Sequence, residues 1–428
     1  MPRPARLLPA ALAACAALLA VSAFFHVGGT AFQAPILGVQ SQQPRLQQMG
    51  AQKQVFAGSS MVPSLMASAQ RPPAAVLDDL EQTAAPMYLV VAATALAAAA
   101  ATKDPAAEEE KKGGLPPALK LPIFVGLWYF FNVQYNIQNK MLLQAFKASW
   151  AVSWLQLAAG IPICFLMWAT GFVKKPNVTM DDIMKLAPSG AAFAAGQVMT
   201  VASLGSVAVS FTHVVKALEP AVNAIASALI LGQVFHPMVY ASLLPVFFGV
   251  ALASSSELSF TMFGFLTAMA SNFCFVTRNV LATKLGSVGD MGTDKTERKT
   301  NQLAVLTMVA TAVLFPIALV LPGGLLSIPA AWQGAIAKGV LADKLAYMMA
   351  TSGFYFFMYQ LSSFWVLSQV PPITHSVLNT LKRVVIIVVS IVVFGTPVTT
   401  MGSIGTATAI GGVMLYTVTK KYYSSKGK

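Results

Sequence analysis

Ten stretches of this chain are apolar over the length of a membrane crossing: 121–138, 149–172, 184–205, 207–232, 238–254, 260–285, 302–322, 345–368, 372–395 and 402–418. About 20 apolar residues in a helix match the hydrocarbon thickness of a bilayer. Inside lipid a helix satisfies every backbone N–H and C=O within its own segment, which single extended strands cannot do. The pattern therefore predicts an all-α integral membrane protein of ten transmembrane helices. Composition agrees, since 56% of residues are hydrophobic and 10% charged, against roughly 25% charged in soluble domains. Ten spans halve into five plus five. The polar break "GSVGDMGTDKTERKTN" (286–301) is read as the divide, giving repeats at about 116–285 and 302–418 within a body of 116–421 and a basic tail at 422–428. An odd number of spans per half inverts the second copy, the arrangement transporters use. The stretch 323–344, broken by Gly and Pro, is expected at the interface.

Within two of these apolar runs stand charges. "SFTHVVKALEP" (210–220) carries His213, Lys216 and Glu219, and "PPITHSVLNTLKRVVIIVV" (371–389) repeats the Thr-His pair and adds Lys382 and Arg383. Arg278 interrupts a third run. A charged residue at a bilayer centre costs roughly 2.5–3.5 kcal/mol on insertion scales, so these four cations must face a wet interior. Spacings of three and four gather Thr212, His213 and Lys216 on one helix face, and His375 aligns with Lys382 over seven residues. Glu219, at i+3, is expected to offset Lys216. The surplus of two lysines and two arginines suits a phosphate dianion, with guanidinium as a bidentate fork and ammonium as a movable point charge. Lys140 reads equally as a snorkelling residue or as part of the site. His213 and His375 read first as packing residues that hydrogen-bond across helices, and only then as accessory ligands.

The first 25 residues set Arg3 and Arg6 ahead of "LLPAALAACAALLAVSAFF", followed by "GGTA", which is the layout of a signal peptide over 1–31. Residues 32–115 begin without acids as far as Val76 and read as a transit peptide and linker. They include a second hydrophobic segment at 87–100, short for a span, with an extra transmembrane helix as the other reading. Two addresses in tandem, with Phe32 at their junction, resemble the bipartite presequences of plastids of secondary origin.

The three cysteines, Cys15, Cys164 and Cys274, have no second cysteine at motif spacing, which argues against a disulfide framework or a thiolate metal site. No metal or cofactor is expected. A net charge of +13 is scattered among apolar spans, which argues against nucleic acid as a partner. No HExxH motif, nucleophile elbow or acid pair occurs in the body, so no enzymatic chemistry is expected.

Several motifs together carry a more specific likeness: "VAVSFTHVVKALEP", "GVALASSSELSF", "AMASN" followed by "TRNVLATK", "YQLSSF" and "THSVLNTLKRVVIIVVSIVVFGTPV". Over about 118–420 the chain resembles the plastidic phosphate translocators of the drug/metabolite transporter superfamily. That resemblance implies ten helices in two inverted five-helix repeats. It implies an antiporter of the plastid envelope membrane that exchanges inorganic phosphate for a phosphorylated metabolite. It also implies phosphate contacts from Thr200, Lys216, Lys382 and Arg383, with Tyr359 and Arg278 serving the organic part of the substrate. Gln197 falls where triose-phosphate members carry histidine, hexose- or pentose-phosphate members lysine, and phosphoenolpyruvate members asparagine. The amide, with the surrounding motifs, leans toward the phosphoenolpyruvate branch and a phosphorylated C3 substrate. A nucleotide-sugar or hexose/pentose-phosphate transporter of the same superfamily, and a lipid-phosphate-binding membrane component, are the alternatives. Oligomeric state is left open.

Overall fold

The computed structural model describes residues 117–285 and 288–426. The expected signal peptide (1–31), the transit and linker region (32–115) with its segment at 87–100, and the last two residues of the tail lie outside the described residues.

Helices dominate the described residues, which contain one isolated β-bridge between Asn177 and Asp290. In chain order the helices are α1 (Pro117–Ala145), α2 (Ser149–Ala158), α3 (Gly160–Ala169), α4 (Met180–Ser206), α5 (Val209–Lys216), α6 (Glu219–Leu231), α7 (Pro237–Ala241), α8 (Leu244–Ser256), α9 (Met262–Leu285), α10 (Lys295–Val320), α11 (Ile328–Ile336), α12 (Ala342–Gln369), α13 (Pro372–Phe394) and α14 (Thr400–Lys426). Their ends follow local chemistry. Thr179 caps α4 in a reciprocal box, its hydroxyl accepting from Asp182 N while the Asp182 carboxylate accepts from Thr179 N, which satisfies two otherwise orphan donors. Gly232 ends α6 and Gly395 ends α13 in the left-handed conformation, where a Cβ would be strained. α14 continues to Lys426, so the start of the expected tail is helical.

Among the described residues, six helical segments are long and apolar enough to cross a membrane: Ser149–Ala169, Val209–Leu231, Pro237–Ser256, Lys295–Val320, Thr374–Phe394 and Thr400–Ser424. Four more, α1, α4, α9 and α12, run 24 to 29 residues but are more polar. Their polarity is inward. Asn132, Asn136 and Asn139 of α1, Gln197 and Thr200 of α4, Asn272 of α9, and Ser352 and Gln360 of α12 are all buried. Hydropathy is therefore lower in these four helices because their buried polar groups find protein partners instead of lipid.

α1 packs along α12, α4 along α9 and α8 along α14. The last contact is backbone to backbone. A Cβ on Gly405 would lie 2.8 Å from Gly249 O and 3.0 Å from Ala253 Cα, the close approach that small residues permit between membrane helices.

The polar stretch 286–301, expected as the divide between the repeats, is only partly loop. Lys295 to Asn301 are the first turns of α10, started by Asp294, whose side chain accepts from Thr296 N at 2.9 Å. The remaining loop follows six of the ten expected segments, not five. A long polar stretch marks a long loop and charged helix ends, and need not mark a symmetry boundary. Residues 323–344 hold a single 3₁₀ turn, the short, half-exposed α11 and the first residues of α12.

Candidate functional site

Pro220 shapes the first wall of the site. It lacks an N–H, and its ring displaces the carbonyl of the residue four earlier, here Lys216. The α5–α6 segment accordingly breaks between Lys216 and Glu219, tightening to i→i+3 bonds from Ala217 N to Val214 O and from Leu218 N to Val215 O. This break sits near the middle of the apolar segment Val209–Leu231 and turns Lys216 and Glu219 onto a cavity of about 410 Å³. The rest of the lining comes mainly from the middle of α1, the C-terminal halves of α9, α12 and α14, and the N-terminal half of α13, with Thr200 of α4, His213 of α5 and Asn223 of α6. Those halves point toward one face, the one bearing loops 232–236, 288–294 and 370–371.

Nine of the expected residues line this cavity together: Thr200, His213, Lys216, Glu219, Arg278, Tyr359, His375, Lys382 and Arg383. Lys216 Nζ donates to Thr200 Oγ1 at 3.0 Å and lies 4.8 Å from the Phe275 ring centroid. Lys382 Nζ lies 4.7 Å from the Trp128 ring centroid. Arg278 is held between Phe193 and Phe275, its Cζ 4.9 and 5.2 Å from their centroids. Aromatic faces steady these cations without neutralising them. His213 Nε2 hydrogen-bonds Asn136 Oδ1 at 2.9 Å, and His375 stacks on Trp128 with centroids 4.7 Å apart while meeting Ser363 Oγ at 3.3 Å. Both histidines thus bridge helices, as packing residues do.

Glu219 is placed differently from expectation. Its carboxylate pairs with Arg383 of α13, across the cavity, instead of lying back along its own helix toward Lys216. The helix break explains this, because i+3 proximity applies only within a continuous helix. Arg383 spends Nη2 on Glu219, while its Nη1, like Nη1 of Arg278, is buried with no hydrogen-bond partner among the described residues. A buried unsatisfied donor costs about 1–3 kcal/mol, more when charged, and these donors border the cavity.

Two expected residues are not in the lining. Lys140 donates to Leu204 O at 2.7 Å and Val207 O at 2.8 Å, on the opposite face of the bundle, tying α1 to the end of α4. Gln197 lies one layer behind the wall and is fully buried. Its Nε2 donates to Tyr135 Oη at 2.9 Å and to Gln156 Oε1 at 2.7 Å. Tyr135 itself lines the cavity, with its ring 5.1 Å from that of Tyr359.

Sequence reasoning missed the amides Asn132, Asn136, Asn223, Asn279 and Asn379, the ring of Trp128, and Lys420 near the end of α14, all in the lining. Asn132 and Asn136 had a signal, an i,i+4 amide pair inside an apolar run, with Asn136 Nδ2 donating to Asn132 Oδ1 at 3.0 Å. Trp128 had none.

The sequence matches the Triose-phosphate Transporter family over residues 119–417. The chain belongs to that family. Among curated proteins, the chloroplastic phosphoenolpyruvate/phosphate translocator 1 of Oryza sativa subsp. japonica is 39% identical over 309 residues, covering 72% of this chain and 74% of that one. The chloroplastic triose phosphate/phosphate translocator of Brassica oleracea var. botrytis is 39% identical over 307 residues, covering 72% and 73%. The glucose-6-phosphate/phosphate translocator 1 of Arabidopsis thaliana is 37% identical over 302 residues, covering 71% and 76%. As a Triose-phosphate Transporter family member the chain is a transporter, not an enzyme.

Proposed function

We propose that this protein exchanges inorganic phosphate for a phosphorylated three-carbon metabolite (phosphoenolpyruvate, triose phosphate or 3-phosphoglycerate) across a plastid envelope membrane by alternating access. The observation that carries the reading is the cavity charge: Lys216, Arg278, Lys382 and Arg383 gather around one carboxylate, Glu219, with two guanidinium Nη1 groups unpaired. Such a surplus suits a dianion, Arg383 and Arg278 offering forks and Lys216 and Lys382 point charges, with Thr200 fixed beside Lys216. The names of the relatives support the phosphate-exchange chemistry and the plastid. The neutral amide at Gln197 and the neighbouring motifs favour the C3 class. The two import signals read from residues 1–115 favour a complex plastid of secondary origin.

Ten spans in two inverted repeats fit the packing if the division falls at 257–261, between α8 and α9. The pairing of α1 with α12 then has its counterpart in the pairing of α9 with α4, and α8 with α14 maps onto itself. The two Thr-His helices become the fourth of each half. With the site at the repeat interface, exchange follows from charge. An empty cavity with uncompensated cations resists the closed state, in which each charge is cut off from water, and a bound dianion removes that penalty.

The test is counterflow in liposomes loaded with phosphate. Lys382→Ala is expected to abolish exchange of labelled phosphate while the purified protein keeps its thermal transition, and Arg383→Ala to abolish it with a lowered transition, because it also strips Glu219 of its partner. Normal exchange in either variant overturns the assignment of the site.

A further inference from the structure

α14 lines the cavity with Ile410, Val413, Tyr416, Thr417 and Lys420. These recur every three or four residues, so a single face of the helix follows the wall for about 15 Å at 1.5 Å per residue. The face changes character along its length. Ile410 and Val413 join Ile387 of α13 in an apolar patch, and toward the cavity mouth the wall becomes Tyr416, Thr417 and Lys420.

Two features of this outer wall have no structural account. The Tyr416 side chain is 3% exposed, yet its hydroxyl has no hydrogen-bond partner among the described residues. Lys420, four residues on, does not extend to the surface as a lysine near the end of a span ordinarily does. Its Nζ lies 4.3 Å from the Phe235 ring centroid and 5.6 Å from that of Tyr416. No carboxylate among the described residues is within ion-pair reach of it. The ammonium is thus held on aromatic faces at the cavity edge, on the same helix face as an unpaired phenol, whereas the Thr417 hydroxyl donates to Val413 O at 2.8 Å.

We propose that Tyr416 and Lys420 form an outer anion subsite, where inorganic phosphate or a phosphate monoester is held on its way to the inner cluster of Lys216, Arg278, Lys382 and Arg383. This rests on reading the cavity as a phosphate site. The ammonium supplies attraction on a movable stem, the phenol supplies a donor to an anionic oxygen, and the apolar patch of Ile387, Ile410 and Val413 separates the two sites. A charge at the mouth of a low-dielectric cleft raises the local concentration of anions and their rate of entry. The outer subsite therefore acts on capture, and the inner cluster on occlusion.

The experiment is phosphate counterflow in proteoliposomes, with inorganic phosphate as probe, for Lys420→Gln, Lys420→Arg and Tyr416→Phe. Lys420→Gln is expected to raise KM severalfold with kcat retained and to flatten the fall of kcat/KM with ionic strength. Lys420→Arg restores both. Tyr416→Phe raises KM without altering the salt dependence. An unchanged KM in Lys420→Gln overturns the subsite, as does a loss of kcat that Lys420→Arg does not rescue, which marks a role in packing. Lys382→Ala in the same preparation separates the two readings. If it abolishes exchange while Lys420→Gln behaves as wild type, the outer subsite alone fails. If it exchanges normally, the phosphate reading of the whole cavity fails with it.

Discussion

Arg383 on α13 holds the carboxylate of Glu219 on α6, 164 positions earlier in the chain. The pair joins α13, which carries one Thr-His motif, to α6, which follows the other on α5, and it uses one arm of the guanidinium, leaving Nη1 buried with no hydrogen-bond partner among the described residues. An anion entering the site therefore meets an arginine already oriented by a carboxylate and must share it. Such sharing keeps the empty cavity from carrying its full positive charge while leaving enough surplus to demand a ligand.

Glu219→Gln tests that balance. The amide oxygen still accepts from Arg383, so the fold is expected to survive, whereas an apolar replacement leaves a buried charge unpaired at about 3–5 kcal/mol. With the competing charge gone, phosphate gains Arg383 to itself. A hydrogen bond to a charged group is worth about 1.5–3 kcal/mol, so KM for phosphate is expected to fall about tenfold or more, with a lower kcat as release slows. Initial rates of phosphate homoexchange across a concentration series decide it, and a raised KM would show that Glu219 serves only to position Arg383.

Lys140→Met removes a tether without touching the cavity. Leu204 lies in the last turn of α4, where carbonyls lack intrahelical partners, and Val207 follows it; both carbonyls accept from Lys140 Nζ. Losing the donor leaves each carbonyl short of a bond, at about 1–3 kcal/mol apiece if water does not replace it. A lower Tm in detergent is expected, with the order of inhibition among organic phosphates unchanged. An altered order at wild-type Tm would return Lys140 to the site.

How much of this was legible depended on cost. Lys216, Arg278, Lys382 and Arg383 stood out because a cation in an apolar run demands a reason, and all four reach the same cavity. Lys420 escaped notice because near the end of a span a lysine reads as snorkelling, and nothing in the linear order brings Phe235 or Tyr416 over it. The Glu219 pairing was misjudged for a related reason: sequence displays the neighbour at i+3, while Pro220 breaks the helix that would make i+3 a neighbour. The polar stretch 286–301 reads as one loop, yet its second half is helical, because Asp294 caps a helix that starts within it. Lys140 looked like a snorkelling or site residue because its partners are backbone carbonyls, which carry no side-chain signal.

Gln197 is where sequence resemblance and structure part most usefully. The resemblance implies a contact with the organic part of the substrate, yet the side chain sits behind the wall, with Nε2 shared between Tyr135 Oη and Gln156 Oε1. Gln156 in turn donates to Asn139 Oδ1 at 2.8 Å, so the amides form a buried relay across α1, α2 and α4. Any influence of Gln197 on substrate choice is therefore expected to pass through Tyr135, whose ring lines the cavity beside Tyr359. Gln197→Leu and Tyr135→Phe should then have the same signature: phosphate KM nearly unchanged, and a common shift in the relative inhibition by phosphoenolpyruvate, 3-phosphoglycerate and triose phosphate. The size is bounded by the roughly 1–3 kcal/mol of an unmatched neutral group, or up to about a hundredfold in preference. The double variant separates relay from independent action, because residues acting through one contact give non-additive effects. Competition against labelled phosphate uptake in the three variants is the measurement. A shift in Gln197→Leu that Tyr135→Phe does not reproduce, adding in full to that of the double variant, would mean that Gln197 reaches the substrate without its neighbour.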